Sequence, residues 1–210
     1  MRGLFVTFEG PEGSGKSTVL RQLAAEMEAA GTPCFSTREP GSGPIGERIR
    51  GILLDGLPLP PLTELFLFLA DRSQHVETQI KPAIDAGMLV LCDRYADSTL
   101  VYQGYGRGMG LDRLARWNEE ATGGMKPDIT FLLDVPAEIG LRRQTKSDRL
   151  DLEPIAFHER VRTGFLTEAR REPERWIVVD AVQPLDVVVK ECRLALGERL
   201  GRTLKPPCGD

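Results

Sequence analysis

Glu9 to Ser17 reads EGPEGSGKS and closes the apolar run Leu4 to Phe8 with a GxxxxGK[S/T] phosphate loop. Gly10, Gly13 and Gly15 free the backbone to curl so that successive N–H groups point inward, and a helix starting near Lys16 adds the positive end of its dipole. That makes an anion cradle suited to a nucleoside triphosphate, formed by Gly10, Pro11, Glu12, Gly13, Ser14, Gly15, Lys16, Ser17 and Thr18. Lys16 is placed to reach the β- and γ-phosphates, and the Ser17 hydroxyl to hold the Mg²⁺ that bridges them. Further chemistry is expected where other strands end. The run Met88 to Asp93 passes into Arg94 and Tyr95, and an Asp beside Mg²⁺ can hold its water shell while the Arg offers a planar fork to a second phosphate.

Positioning such residues requires alternating strands and helices, and the pattern supplies them. Strands are predicted at Leu4 to Glu9, Pro33 to Thr37, Met88 to Asp93, Ile129 to Asp134 and Trp176 to Asp180. Helices are predicted at Lys16 to Ala30, Ile45 to Leu54, Thr63 to Ala86, Leu111 to Thr122, Pro136 to Arg143, Glu153 to Arg171 and Pro184 to Leu200. The first carries Val19, Leu20, Leu23, Ala24 and Met27 at the three-four spacing of a buried face. The expectation is an α/β domain, a five-stranded parallel sheet with helices on both faces, and ligands at the carboxyl ends of the strands.

Composition narrows the class. The 210 residues, 41% of them hydrophobic, suit one domain spanning residues 1–210. With 27 Lys and Arg against 31 Asp and Glu, the net charge of −4 offers no polycationic surface for long nucleic acid. No apolar run has the length of a bilayer span, and Met1 to Phe8 is too short for a signal peptide, so the expected compartment is the cytoplasm. Cys34, Cys92, Cys192 and Cys208 lack CxxC spacing and read as inert thiols, implying neither zinc nor disulfides. The tail 201–210, with two prolines and little apolar material, is expected to be loose.

Five segments in order, FEGPEGSGKST, TREPGSGPIGE, LFLFLADRSQH, DRYADSTLVYQGYGRG and DRLD, resemble the bacterial thymidylate kinases along nearly the whole chain. The resemblance implies the P-loop nucleoside monophosphate kinase fold with a short lid, here about 142–151. It also implies transfer of the ATP γ-phosphoryl group to dTMP in the presence of Mg²⁺, by a homodimer. In such chemistry the acceptor is a phosphate oxygen already largely anionic near neutral pH, so no general base is needed. A nucleoside kinase would need a carboxylate to take a hydroxyl proton, a part open to Glu9 or Asp93. In the kinase of a monophosphate, Glu9 and Asp93 serve Mg²⁺ through water instead.

Lys16 and Arg94 carry the donor and acceptor charge. The phosphate loop has no arginine among Pro11, Glu12, Gly13 and Ser14, and in such chains the family supplies one from the lid. Arg149, in the matching Asp-Arg motif, and Arg143, at the helix end feeding the lid, are the candidates. Phe68 and Arg72 are four apart in a helix, so a base stacked on the ring would meet the guanidinium at its edge. Arginine only donates, which suits the O4 carbonyl of thymine or uracil over the amino group of cytosine. The resemblance further assigns Thr99 and Gln103 to the base or acceptor phosphate, and Tyr102 to the sugar. It gives Glu12, with Arg38 nearby, to the sugar 3′-hydroxyl. The chain departs from the family pattern at Pro11, Ser42 (in place of the second glycine of TREPGG), Asp151 and Phe165. The rivals are a small phosphate-loop kinase of dUMP, UMP, dCMP or thymidine, and a non-catalytic nucleotide switch.

Overall fold

Five apolar runs form β1 (Leu4–Glu9), β2 (Cys34–Arg38), β3 (Leu89–Asp93), β4 (Ile129–Asp134) and β5 (Trp176–Asp180) in the computed structural model, which describes residues 2–55, 57–144 and 150–201. All pairings are parallel and the strand order is β2-β3-β1-β4-β5. β1 lies at the centre, buried from Phe5 to Glu9, which is why it reads as an unbroken apolar run rather than an alternation. The chain winds to one side of β1 through β2 and β3, then to the other through β4 and β5. The carboxyl end of β1 therefore lies where the winding reverses, the place where such sheets bind ligands.

Alternation along β1 divides the core between two faces. Val6 and Phe8 pack with Leu91 and Phe131 under α1 (Lys16–Ala29) and α9 (Leu185–Arg199), against Leu23, Met27, Val188 and Cys192. Phe5 points the other way, to Val90, Tyr95, Val76 and Ile80. On that second side α8 (Ile155–Arg171) brings Phe157, Val161 and Phe165 onto Leu132 and Val101. Phe8 of β1 and Phe131 of β4 stack at 5.3 Å on the first face, under α1 and α9. Truncating Phe131 to alanine would cost about 3–5 kcal/mol.

The predicted elements are all present, with shifted ends. α2 (Gly43–Leu54) begins two residues earlier than expected. α7 (Ala137–Arg143), α8 and α9 begin one or two residues later, because Pro136, Pro154 and Pro184 stand in extended backbone at their N-caps. The helix predicted from Thr63 to Ala86 is not one regular helix. α3 (Pro61–His75) passes through a π-helical turn at Val76–Ile80 into α4 (Lys81–Asp85). Pro82 has no N–H for an α-helical bond and its ring would press on the carbonyl four residues back, and the wider turn relieves both. A second π turn, Leu100–Gly106, continues α5 (Ala96–Thr99), and α6 (Leu111–Thr122) follows. No described helix is long and apolar enough to cross a membrane. Burial pushes the Cys92 thiol up, that of Cys34 to about 11 and that of Cys192 to about 12. Cys208, the tail from 202 and the lid residues 145–149 lie outside the described residues.

Candidate active site

The phosphate loop turns through left-handed backbone at Gly13 (φ 67°) and Gly15 (φ 88°), and no side chain caps α1. Uncapped N–H groups and the helix dipole face the same point, an arrangement that favours an anion. A Cβ on Gly13 would stand 1.9 Å from the Gly140 carbonyl oxygen, and one on Gly140 2.2 Å from that of Glu12. Loop and α7 thus meet backbone to backbone, and only glycine permits it at either position. Lys16 Nζ donates to Gly10 O (3.0 Å), Pro11 O (2.8 Å) and Ser14 Oγ (3.1 Å). Burial is the main cause that lowers its pKa, to about 8.

The end of β3 closes on this loop. The Ser17 hydroxyl donates to the Asp93 carboxylate. Arg94 follows at a positive φ of 68°, unusual for a residue with a side chain and a sign that the surrounding contacts dictate its backbone. Its Nη2 pairs with Glu12 Oε1 at 2.7 Å, Nη1 reaches Gly10 O at 3.2 Å, and its guanidinium lies over the Tyr102 ring at 5.0 Å. Tyr102 donates to the same Glu12 oxygen at 2.6 Å. Burial works against the charge on Glu12, but Arg94, Lys16 and the Tyr102 hydroxyl outweigh it and its pKa falls to about 2. Glu9, behind them, accepts from the Tyr95 N–H (2.8 Å) and Ser98 Oγ (2.6 Å), and burial followed by the nearby Asp97 raises it to about 7.

Loop, strand ends and helices enclose a cavity of about 330 Å³ lined by Glu12, Lys16, Ser17, Arg38, Phe68, Arg72, Asp93, Arg94, Thr99, Tyr102 and Gln103. Residues far apart in sequence are thereby collected at one place. Arg72 is more deeply held than helical spacing implied, with 2% of its side chain exposed. Its Nε donates to Glu39 Oε2 (2.8 Å), Nη1 to Thr99 Oγ1 (2.8 Å) and Asn118 Oδ1 (2.7 Å), and Nη2 to the Tyr95 carbonyl (3.0 Å). Those contacts use four of its five N–H donors, leaving one on Nη2 among the described residues. Gln103 donates to the buried Glu64 at 2.9 Å, which Arg107 also binds.

The structure separates one expected arginine from the site. Arg143 is not in the cavity lining, and it donates instead to Ala181 O at 2.7 Å and Val182 O at 3.4 Å, beyond β5. The short α7 ends there, beside the loop between β5 and α9 that carries both carbonyls. Arg149 lies outside the described residues. Sequence reasoning also passed over Glu39, Ser98, Asn118 and Gly140. A glycine inside the seven-residue α7 was a readable signal for Gly140, and a hydroxyl four residues after Arg94 a weaker one for Ser98. Asn118 gave none, since only the fold brings it to Arg72.

A phosphate loop at the end of the central parallel strand, with an Asp-Arg pair ending the neighbouring strand and a cleft lined by both their charged side chains between, defines a P-loop nucleotide kinase. The family model described as thymidylate kinase matches residues 8–192. The thymidylate kinase of Desulfovibrio desulfuricans is 48% identical over 211 residues, covering 95% of this chain and 97% of the relative. That of Thermomicrobium roseum is 48% identical over 207 residues, covering 97% and 99%. The crystal structure of thymidylate kinase from Ehrlichia chaffeensis superposes with a TM-score of 0.79 at 34% identity, covering 93% of this chain and 99% of the other. The chain belongs to the thymidylate kinase family.

Proposed function

We propose that this protein transfers the γ-phosphoryl group of ATP to dTMP, forming dTDP, as a single kinase domain working in the cytoplasm. Family membership supports the reaction, and one observation ties it to this chain's residues. Lys16 and Ser17 on the donor side, Arg94 on the acceptor side and the Phe68–Arg72 pair line one cavity. The attacking group is a phosphate oxygen, so the protein's work is positioning and charge neutralisation rather than proton removal. Lys16 exchanges carbonyl acceptors for donor phosphate oxygens, and Arg94 holds the acceptor phosphate against them. Arg94 and Tyr102 both bind Glu12 through Oε1, so Oε2 is the oxygen that accepts from the sugar hydroxyl, with Arg38 at the cavity edge. Phe68 stacks on the base, the remaining Nη2 hydrogen of Arg72 meets O4, and Thr99, Tyr102 and Gln103 complete the walls. Arg149 is the lid arginine assigned to the transferred group.

Mg²⁺ suits the oxygen set formed by Ser17 and Asp93, with Glu9 on the adjacent strand, because Mg²⁺ takes few protein oxygens and completes its shell with water and phosphate. When bound it neutralises phosphate charge. A homodimer is supported by exposed apolar side chains on neighbouring helices: Ile45 and Ile52 on α2, and Leu62 and Phe66 on α3, where Phe66 packs on Trp117 of α6. Phe66→Asp should leave the fold intact and shift sedimentation at micromolar protein from dimer to monomer. A wild-type monomer would remove the dimer assignment.

The deciding assay is Mg²⁺- and ATP-dependent phosphorylation of dTMP, dUMP, UMP, dCMP and thymidine side by side. Preferred turnover of dTMP is expected. Preference for another acceptor would keep the kinase chemistry and discard the base pocket, and ATP hydrolysis without an acceptor product would discard both.

A further inference from the structure

Arg72 is gripped from the β2 side by a line of polar groups that the reaction does not use, buried at Glu39 and His75 and half-buried at Thr37, Ser42 and Gln79. Glu39 spans two partners, Oε2 accepting from Arg72 Nε at 2.8 Å and Oε1 lying 3.0 Å from His75 Nδ1. His75 Nε2 lies 2.7 Å from Thr37 Oγ1, Thr37 Oγ1 lies 2.8 Å from Ser42 Oγ, and Ser42 Oγ donates to Gln79 Oε1 at 2.8 Å. The His75 side chain is wholly buried. Ser42 is this chain's own addition, since the motif it resembles carries glycine there. Gln79 reaches it from the π turn Val76–Ile80.

Counting hydrogens orders this line. Each hydroxyl has one to give. Ser42 gives its hydrogen to Gln79, so Thr37 gives its own to Ser42, and Thr37 can then only accept from His75 Nε2. Glu39, a carboxylate paired with a guanidinium, accepts from Nδ1. In that order both ring nitrogens of His75 face acceptors, Thr37 Oγ1 at one end and the Glu39 carboxylate at the other. Asp71, on the same helix as Arg72 and His75, accepts from the Gly41 N–H at 3.2 Å.

We infer that Ser42, Thr37, His75 and Glu39 form a proton-ordered strut that fixes the rotation of the Arg72 guanidinium, and that His75 is a positioning residue for the acceptor base. Thr99, Asn118 and the Tyr95 carbonyl hold the far end of the guanidinium, and Glu39 alone holds Nε. His75, bound to the other carboxylate oxygen, sets the direction from which Glu39 does so. The inference rests on Arg72 as the base contact proposed above.

Two readouts test it. The chain has two histidines, so ¹⁵N-histidine spectra of the enzyme are assigned with one variant. Two ring N–H signals are expected for His75, and Ser42→Gly should abolish the Nε2–H signal, because Thr37 is then free to donate to the ring. A bare Nε2 in the wild type would overturn the proton order. In kinetics, His75→Leu should raise the dTMP KM about tenfold with kcat changed less than about threefold, and narrow the dTMP to dCMP preference. His75→Asn, which keeps a donor toward Glu39, should recover most of that loss. In an Arg72→Ala background His75→Leu should add nothing. Unchanged KM in both His75 variants, or an equal loss in the Arg72→Ala background, overturns the strut. If Arg72→Ala itself leaves the base preference unchanged, it is the base reading that fails, a result the His75 spectra do not depend on.

Discussion

The phosphate loop and the base pocket face one cavity but are built at different scales. Lys16 spends its ammonium donors on Gly10, Pro11 and Ser14, two to six residues away. Arg72 spends its donors on Glu39, Thr99, Asn118 and Tyr95, 23 to 46 residues away. The first region is a local backbone shape with a charge attached, and it can be moved between folds. The second exists only when α3, α5, α6 and the β2 end have packed, so its geometry inherits every error in that packing. Arg94 joins the two: it ends β3, takes its backbone angle from the turn there, and ties Glu12 of the loop to Tyr102 of the pocket wall.

That contrast can be tested by perturbing each side. Lys16→Ala should lower kcat by about 10³-fold or more, because the lost charge acts on the transferring group. A comparable kcat would mean the loop's backbone alone carries the donor side. Arg94→Ala should lower kcat/KM for dTMP by about 10²-fold while leaving ATP affinity near normal. An equal loss in ATP affinity would show that the two regions are not separable through Arg94. Arg72→Ala should cost at least about tenfold on dTMP and narrow its advantage over dCMP, because it removes the base-edge donor and also leaves the buried Glu39 without its guanidinium partner. An unchanged dTMP to dCMP ratio would remove the base contact.

A last effect is on stability rather than rate. The Glu12 pKa of about 2 lies below its ordinary 4.5, so its stabilisation is complete above the unfolded-chain value and fades as pH falls toward 2. Glu12→Gln should therefore melt lower than the wild type at pH 7, by about 2 kcal/mol of stability, with the gap closing below about pH 4.5. A gap independent of pH would assign the loss to packing rather than to the Arg94 pair.

How much was legible follows the same division. The strands, most helix spans and the phosphate loop were readable because each depends on residues within one or two turns of one another. The π turn at Val76–Ile80 was not legible, since the segment reads as one helix across Pro82, and it is this turn that carries Gln79 toward Ser42. Phe68 and Arg72 were readable as one helix face, but the burial of Arg72 was not, since Glu39 and Asn118 reach it from other elements. Arg143 read as a lid residue because it ends a helix before a basic stretch, whereas the fold offers it carbonyls beyond β5.

The sequence by itself therefore determined the anion cradle, the parallel α/β scheme and the set of charges available to move a phosphoryl group, because glycine spacing and apolar periodicity act through local backbone geometry. Only the tertiary structure decided which charges face the cavity, which are consumed by one another, and how the Arg72 guanidinium is aimed. Those outcomes depend on the distances and burial of groups distant in sequence, and no spacing rule along the chain encodes them.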